Sequence, residues 1–160
     1  SERGAASALI RYVLRRLEHD HTQRAPGGLE RATANSFQVS ADMSHAVHPN
    51  YADLHDKYNK PRINGGPVVK TNVNMRYSTD AETSARFKAA CAALEIPVQD
   101  FVVRSDLACG STIGPISAAQ LAIRTVDVGG AMLSMHSIRE MCGSRDIDQM
   151  AQVMRYILQN

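Results

Sequence analysis

Asp42, His45 and His48 stand at three-residue intervals in the stretch Ser40-Ala41-Asp42-Met43-Ser44-His45-Ala46-Val47-His48-Pro49-Asn50-Tyr51. Carboxylate and imidazole are the ligand types that hold catalytic zinc. A short strand-like run, Ser36 to Val39, leads into the motif, and Pro49-Asn50 closes it with a turn. The end of a strand is where α/β enzymes place their chemistry. Asp and His also populate ordinary surface loops, and D-x-x-H-x-x-H is a short pattern. Spacing alone therefore leaves metal-binding, catalytic and plain loop readings open.

A second polar cluster, Ser134-Met135-His136-Ser137-Ile138-Arg139-Glu140, follows the strand-like Thr125 to Val128 and the pair Gly129-Gly130. That order puts His136 at the same carboxyl edge of a sheet as Asp42. Two ligand-type residues at strand ends, far apart in sequence, are how an α/β enzyme assembles a metal site. Taken alone, His136 reads as a loop or core histidine. Ser134 or Ser137 beside it would suggest a serine hydrolase, but no G-x-S-x-G elbow is present. The loop Cys109-Gly110-Ser111-Thr112-Ile113-Gly114 invites a phosphate-binding reading at a helix start. It lacks the Gly-Lys-Ser/Thr ending of a Walker A loop, so a structural turn or a pocket wall fits better. Cys109 has no base partner in view that would make it a nucleophile. Lys70 and Tyr77, taken by themselves, are ordinary solvent-facing residues.

The elements that must position these groups alternate between helix and strand. Ala5 to Leu17 carries apolar residues at Ile10, Val13, Leu14 and Leu17, a helical period. His19 to Asn35, containing Pro26-Gly27-Gly28, reads as a surface loop. Phe37 to Val39 and Val68 to Asn72 read as strands, with a polar, irregular segment from Tyr51 to Pro67 between them. Thr83 to Leu94 is an Ala-rich helix, Val98 to Arg104 a buried strand, and Pro115 opens a helix that runs to about Ile123. Thr125 to Val128 is a strand. Asp146 to Leu158 closes the chain as an amphipathic helix with Ile147, Met150, Val153, Met154 and Ile157 on one stripe. The expected fold is α/β, layered helix/sheet/helix with a mostly parallel central sheet.

The 160 residues make one domain's worth of chain, and 44% hydrophobic with 21% charged residues suits a globular core. A net charge of +2 is too small to imply a nucleic-acid or membrane-surface partner, and no apolar run reaches the roughly 20 residues of a membrane span. Arg11, Arg15 and Arg16 read as a solvated helix face. Three scattered cysteines, Cys91, Cys109 and Cys142, without a C-x-x-C pair, favour buried thiols in a reducing compartment. The chain opens Ser1-Glu2-Arg3-Gly4 with no Met and no signal peptide, and enters a helical pattern at once. It reads as a piece of a longer protein.

The stretch from Asp42 to Tyr51 closely resembles the D-M-x-H-A-x-H-P-N-Y signature of the M18 metallopeptidases, the aspartyl aminopeptidases. Further matches follow in order: Gly66-Pro67-Val68-Val69-Lys70, Arg76-Tyr77, Cys109-Gly110-Ser111-Thr112-Ile113-Gly114-Pro115, and Met135-His136-Ser137-Ile138-Arg139-Glu140-Met141. The resemblance covers nearly the whole chain. It implies a zinc aminopeptidase-like partial domain, residues 1–160 forming the C-terminal portion of the catalytic domain. It also implies a site of two zinc ions, or other divalent metals, to which Asp42 and His136 contribute as ligands. His45, Lys70 and Tyr77 match substrate contacts, and His48 is expected to orient its neighbours from behind the ligands. The implied substrates are peptides with an N-terminal Asp or Glu, the implied assembly a dodecamer-like homo-oligomer, and the implied location the cytoplasm. A vacuolar-type enzyme of broader specificity shares these motifs. A non-catalytic structural role is the rival from another class, and the presence of Asp42 and His136 argues against it.

The chain departs from the family pattern in what it lacks. By the resemblance, the catalytic Glu-Glu pair belongs just upstream of Ser1, and a histidine, a bridging aspartate and an inserted dimerisation domain also lie outside. The 160-residue chain by itself is therefore expected to bind zinc weakly and to cleave nothing. Incubation with an N-terminal Asp substrate and zinc checks this, and measurable zinc-dependent release of Asp would contradict it.

Overall fold

Val126, Asp127 and Val128 are fully buried, so the strand that carries them has to be covered on both faces. That strand is β5 (Arg124–Gly129), at the centre of the molecule. In the computed structural model, which describes residues 3–21 and 26–160, it is flanked by β1 (Phe37–Ala41) and β3 (Val68–Thr71). The edge strand β4 (Gln99–Val102) completes a four-stranded sheet ordered β1-β5-β3-β4. β1 runs parallel to β5, β3 runs parallel to β4, and the β3–β5 pair is antiparallel. The mixed, mostly parallel α/β sheet is the expected one.

Alternation along the strands sorts the chemistry onto two faces. Phe37, Val39, Val69, Val126 and Val128 point to one face. There they pack on Phe87, Ala90 and Cys91 of α3 (Ala81–Ala93) and on Val153 of α5 (Ser144–Gln159). Gln38, Lys70, Thr125 and Asp127 point to the other. Helix α4 (Gly114–Leu121) covers part of that face, where the Gln38 Nε2 donates to Ser117 Oγ at 2.9 Å and the Thr125 hydroxyl donates to Gln38 Oε1 at 3.1 Å. The result is the helix/sheet/helix layering that the sequence predicts, with one apolar and one polar interlayer.

Several elements differ from expectation. The segment read as a loop from His19 to Asn35 contains the end of α1 (Leu9–His21) and a short helix, α2 (Gly28–Ala34), which buries Leu29 and Thr33. Residues 22–25 of that segment lie outside the described residues. The first helix begins at Leu9 rather than Ala5. β4 is half-buried instead of buried, because it is an edge strand with only Phe101 turned fully inward. A second, small sheet was not foreseen: β2 (Ser44–His45), β6 (Ala131–Leu133) and β7 (Met141–Cys142), ordered β2-β6-β7. Its strands are two or three residues long, too short for a period-2 pattern to register in sequence. On α5, Val153 is buried and Met150 and Ile157 pack on the core, but Ile147 is exposed. Cys142 is exposed too, contrary to the expectation of buried thiols, while burial pushes the Cys91 thiol up to about 11.

The start of α5 is clasped to the segment that feeds β3. The buried Asp146 carboxylate accepts the backbone N–H groups of Asn64 at 2.7 Å and Gly66 at 2.9 Å, and Asn64 Oδ1 accepts the N–H of Arg145 at 3.0 Å. Asp146→Ala strands one buried and one half-buried donor and is expected to cost about 2 kcal/mol. Urea unfolding should show a lower midpoint with an unchanged slope.

Candidate active site

The carboxyl end of β1 is held from three sides. Asp42 N–H donates to Val128 O at 2.9 Å, which carries the parallel ladder one residue past the strand. A Cβ on Gly129 would collide with the Asp42 carbonyl, so only glycine lets the two chains pass this closely at the strand end. From β3, the Lys70 ammonium donates to the carbonyls of Asp42 at 3.2 Å and Met43 at 3.4 Å, and its Nζ lies 3.6 Å from the Asp42 carboxylate. Lys70 is 2% exposed, whereas the Asp42 side chain is 55% exposed. The backbone of Asp42 is thus fixed while its carboxylate stays open to the cavity.

Lys70 and Tyr77 do not face solvent as their sequence context alone suggests. Both are buried, because alternation turns Lys70 to the polar face of the sheet and Tyr77 packs with Val68 and Phe101. The Lys70 Nζ sits 5.3 Å from the centre of the Tyr77 ring, within cation–π range. Burial lowers the Lys70 pKa from its ordinary value, and the negative charges of Asp42 and Asp127 oppose that shift. Burial, with the nearby Cys109 thiol, raises that of the Tyr77 hydroxyl, which stays protonated.

His136 reaches the same place from the small sheet. β6 runs antiparallel to β7, and the connecting loop, residues 134–140, presents His136 at the mouth of the cavity. His45, on β2, lines the same cavity within electrostatic reach of His136. Burial lowers the pKa of His45, as do the charges of His136 and Lys70, and Asp42 opposes them. Asp42, His45, Lys70, Tyr77 and His136 therefore line one cavity of about 640 Å³, with His48 at its rim. His48 caps the 3-10 turn at Pro49–Leu54: its Nδ1 accepts the N–H of Asn50 at 3.1 Å and its ring lies 5.1 Å from that of Tyr51. No contact ties it directly to Asp42 or His45 among the described residues. The loop Cys109 to Thr112 forms the opposite wall, the role that sequence favours over phosphate binding.

Two residues of the site escape the sequence reading. Asp127 is fully buried, and its Oδ2 accepts the N–H of Ser78 at 2.6 Å while its Oδ1 accepts the Thr112 hydroxyl at 2.6 Å. It therefore ties the segment after Tyr77 to the loop wall, beneath the cavity. A carboxylate between two valines in Val126-Asp127-Val128 is the sequence signal that could have found it. His55 closes the far end of the cavity against Phe101, ring centres 6.1 Å apart, and burial lowers its pKa.

The donor chemistry fits part of a metal centre. Asp42 offers an open carboxylate and His136 an exposed imidazole, two of the donor types that zinc takes. A tetrahedral site needs four ligands, and no group of three or more His, Cys, Asp or Glu is assembled for a metal among the described residues.

Comparison with known proteins identifies the family and the fold. The family model described as "Aminopeptidase I zinc metalloprotease (M18)" matches residues 1–156. A probable M18 family aminopeptidase 2 from Pseudomonas entomophila is 50% identical over 151 residues, covering 94% of this chain and 34% of the relative. One from Ectopseudomonas mendocina is 50% identical over 153 residues, with the same coverage of 94% and 34%. The chain thus spans about a third of the length of the curated relatives it matches. Among solved structures, a chain of the Ape4 and Nbr1 complex superposes with a TM-score of 0.96 at 42% identity, covering all of this chain and 30% of that one. The mApe1 dodecamer of S. cerevisiae gives a TM-score of 0.88 at 30% identity, covering all of this chain and 35% of that one.

Two outcomes follow from the site. Asp127→Ala leaves a buried N–H and a hydroxyl without their acceptor and is expected to cost about 3 kcal/mol, with Thr112→Val costing about 1 kcal/mol, both read from urea unfolding. His45 and His55 have folded pKa values below the ordinary 6.5, so the unfolded state binds protons first on acidification. Their contribution to stability is full above pH 6.5 and is lost as the pH falls through their folded values. NMR titration of metal-free protein should find both rings titrating below 6.5, with His136→Ala moving His45 back toward it.

Proposed function

The chain belongs to the M18 family of zinc metalloproteases, and from that premise we propose that it forms part of the active site of an aminopeptidase that removes N-terminal Asp and Glu, with Asp42 and His136 as metal ligands. One observation carries the reading. A carboxylate and an imidazole from distant segments line the same cavity as Lys70, which among the described residues is the only Lys or Arg in its wall. The rest of the site, a glutamate pair with a further histidine and aspartate, is supplied from outside the 160 residues.

Asp42 and His136 would hold zinc together with ligands from outside the chain, and zinc there would supply Lewis-acid polarisation of the scissile carbonyl and a more acidic water. The residues of this chain prepare the substrate. Asp42 is held by its backbone, so its carboxylate can meet a metal without rearrangement of β1. Lys70, kept in a wall that excludes water, offers an N–H to the substrate's acidic side chain, a charge-assisted contact that strengthens on desolvation. Tyr77 remains protonated and can donate to the same carboxylate. His45 favours its neutral form and can present a ring nitrogen to the substrate. His48 holds the 3-10 turn whose Tyr51 and Leu54 border the cavity.

The proposal extends to a homo-oligomer of the kind named for mApe1, a dodecamer. It places the protein in the cytoplasm, a reducing compartment in which three unpaired cysteines persist as thiols.

The test uses the full-length protein that carries this segment. Lys70→Met is expected to lower kcat/KM for an N-terminal Asp substrate relative to a neutral one by roughly 10- to 100-fold, the worth of a hydrogen bond between charged groups. Reading the ratio removes any general loss from disturbing Lys70's contacts to β1. An unchanged ratio would show that Lys70 does not read the acidic side chain.

A further inference from the structure

His136 has a φ of 70°, and Ser134, two residues earlier, a φ of 57°. Both lie in the left-handed region, where a residue with a side chain costs roughly 1–2 kcal/mol. Such a conformation persists only if its surroundings over-determine it. The loop has three internal ties. Ser137 N–H donates to Ser134 O at 2.9 Å, and Arg139 N–H donates to Ser137 Oγ at 3.0 Å. The third is the shortest: His136 N–H donates to the Glu140 carboxylate at 2.6 Å.

The first two ties do not involve His136: one returns to Ser134, which directly follows β6, and the other stays in the loop tip. The Glu140 tie fastens His136 itself, from the β7 side. Glu140 directly precedes β7, and the β6–β7 ladder pairs Leu133 with Met141, so its backbone is anchored at the base of the hairpin. The acceptor is a charged carboxylate, which makes the stronger kind of N–H bond. The contact is to the backbone of His136 and leaves its imidazole free.

We propose that Glu140 is a positioning residue for His136: its carboxylate locks the His136 N–H and holds the left-handed turn that presents the imidazole to the cavity. The proposal rests on the reading of His136 as a metal ligand. Without the acceptor, the peptide before His136 can rotate toward the extended region, and the imidazole swings with it. The residue acts on the backbone of the ligand, whereas the familiar outer partners of metal ligands bind the ligating side chain; the shared effect is to fix the ligand's orientation, and loss of an orienting partner commonly weakens metal binding about 10- to 100-fold.

The experiment compares zinc affinity by chelator competition in the full-length protein and its Glu140→Ala, Glu140→Gln and His136→Ala variants, with amide hydrogen exchange at position 136 as a readout independent of metal. Glu140→Ala is expected to weaken the ion that His136 holds by about 10- to 100-fold and to speed exchange of the His136 amide. Glu140→Gln, whose amide oxygen keeps an acceptor, should stay within about threefold of the parent and retain slow exchange. Parental zinc affinity in Glu140→Ala alongside loss of zinc in His136→Ala would overturn the positioning role alone. Equal losses in the Ala and Gln variants would overturn it too, since the acceptor is retained in one of them. Full zinc occupancy in His136→Ala would instead overturn the ligand assignment on which the proposal rests.

Discussion

The site depends on one buried charge. Lys70 carries an ammonium into the polar face of the central sheet, where desolvation works against it and the carbonyls of Asp42 and Met43 meet it at 3.2 and 3.4 Å. A cation in such a place is tolerated only with partners close by. Here the partners are the end of β1, the Asp42 carboxylate and the face of the Tyr77 ring. The cost of burial thus becomes a geometric constraint. β1 has to end where the ammonium can reach it, and Gly129 has to lack a side chain for Asp42 to cross there. The side chain proposed to coordinate metal and the side chain proposed to read the substrate are thereby built as one unit.

A second buried charge completes the frame. Among the described residues Asp127 has no cation in salt-bridge contact, and its oxygens are held by Ser78 and Thr112. It packs against Gly114 at the start of α4, so the helix, the loop wall and the segment after Tyr77 meet on one carboxylate. Its field also favours the charged form of Lys70. The opposite face of the sheet is built from Val69, Val126, Val128, Phe87 and Val153, all fully buried, and can supply the stability that the polar face gives up.

How much of this was legible in the sequence depended on the kind of signal. Asp42 and His136 stand out because their residue types are chemically committed and each follows a strand-like run. The central strands were legible because Val-rich runs between Gly and Asn turns have few other uses. Lys70 was legible as a motif member but its burial was not, since a lysine beside three apolar residues reads as the exposed end of a strand. Only the pairing of β3 with both β4 and β5 encloses it. The small sheet was invisible for a related reason: its strands are fixed by long-range pairing, as in Ser44 N–H to Gly130 O at 2.8 Å, and not by local propensity. Helix α2 was hidden by its glycines, and Leu29 is the apolar residue that it buries.

Under the proposal, Asp42 and His136 are two ligands of a metal centre whose other ligands are not among the described residues of this chain. The most direct test is anomalous diffraction at the zinc edge from crystals of the full-length protein. The account predicts a zinc peak about 2.0–2.2 Å from a carboxylate oxygen of Asp42 or a ring nitrogen of His136, with the other residue on the same or the adjacent ion. Zinc peaks bound entirely by other residues, with Asp42 and His136 free of metal, would contradict it.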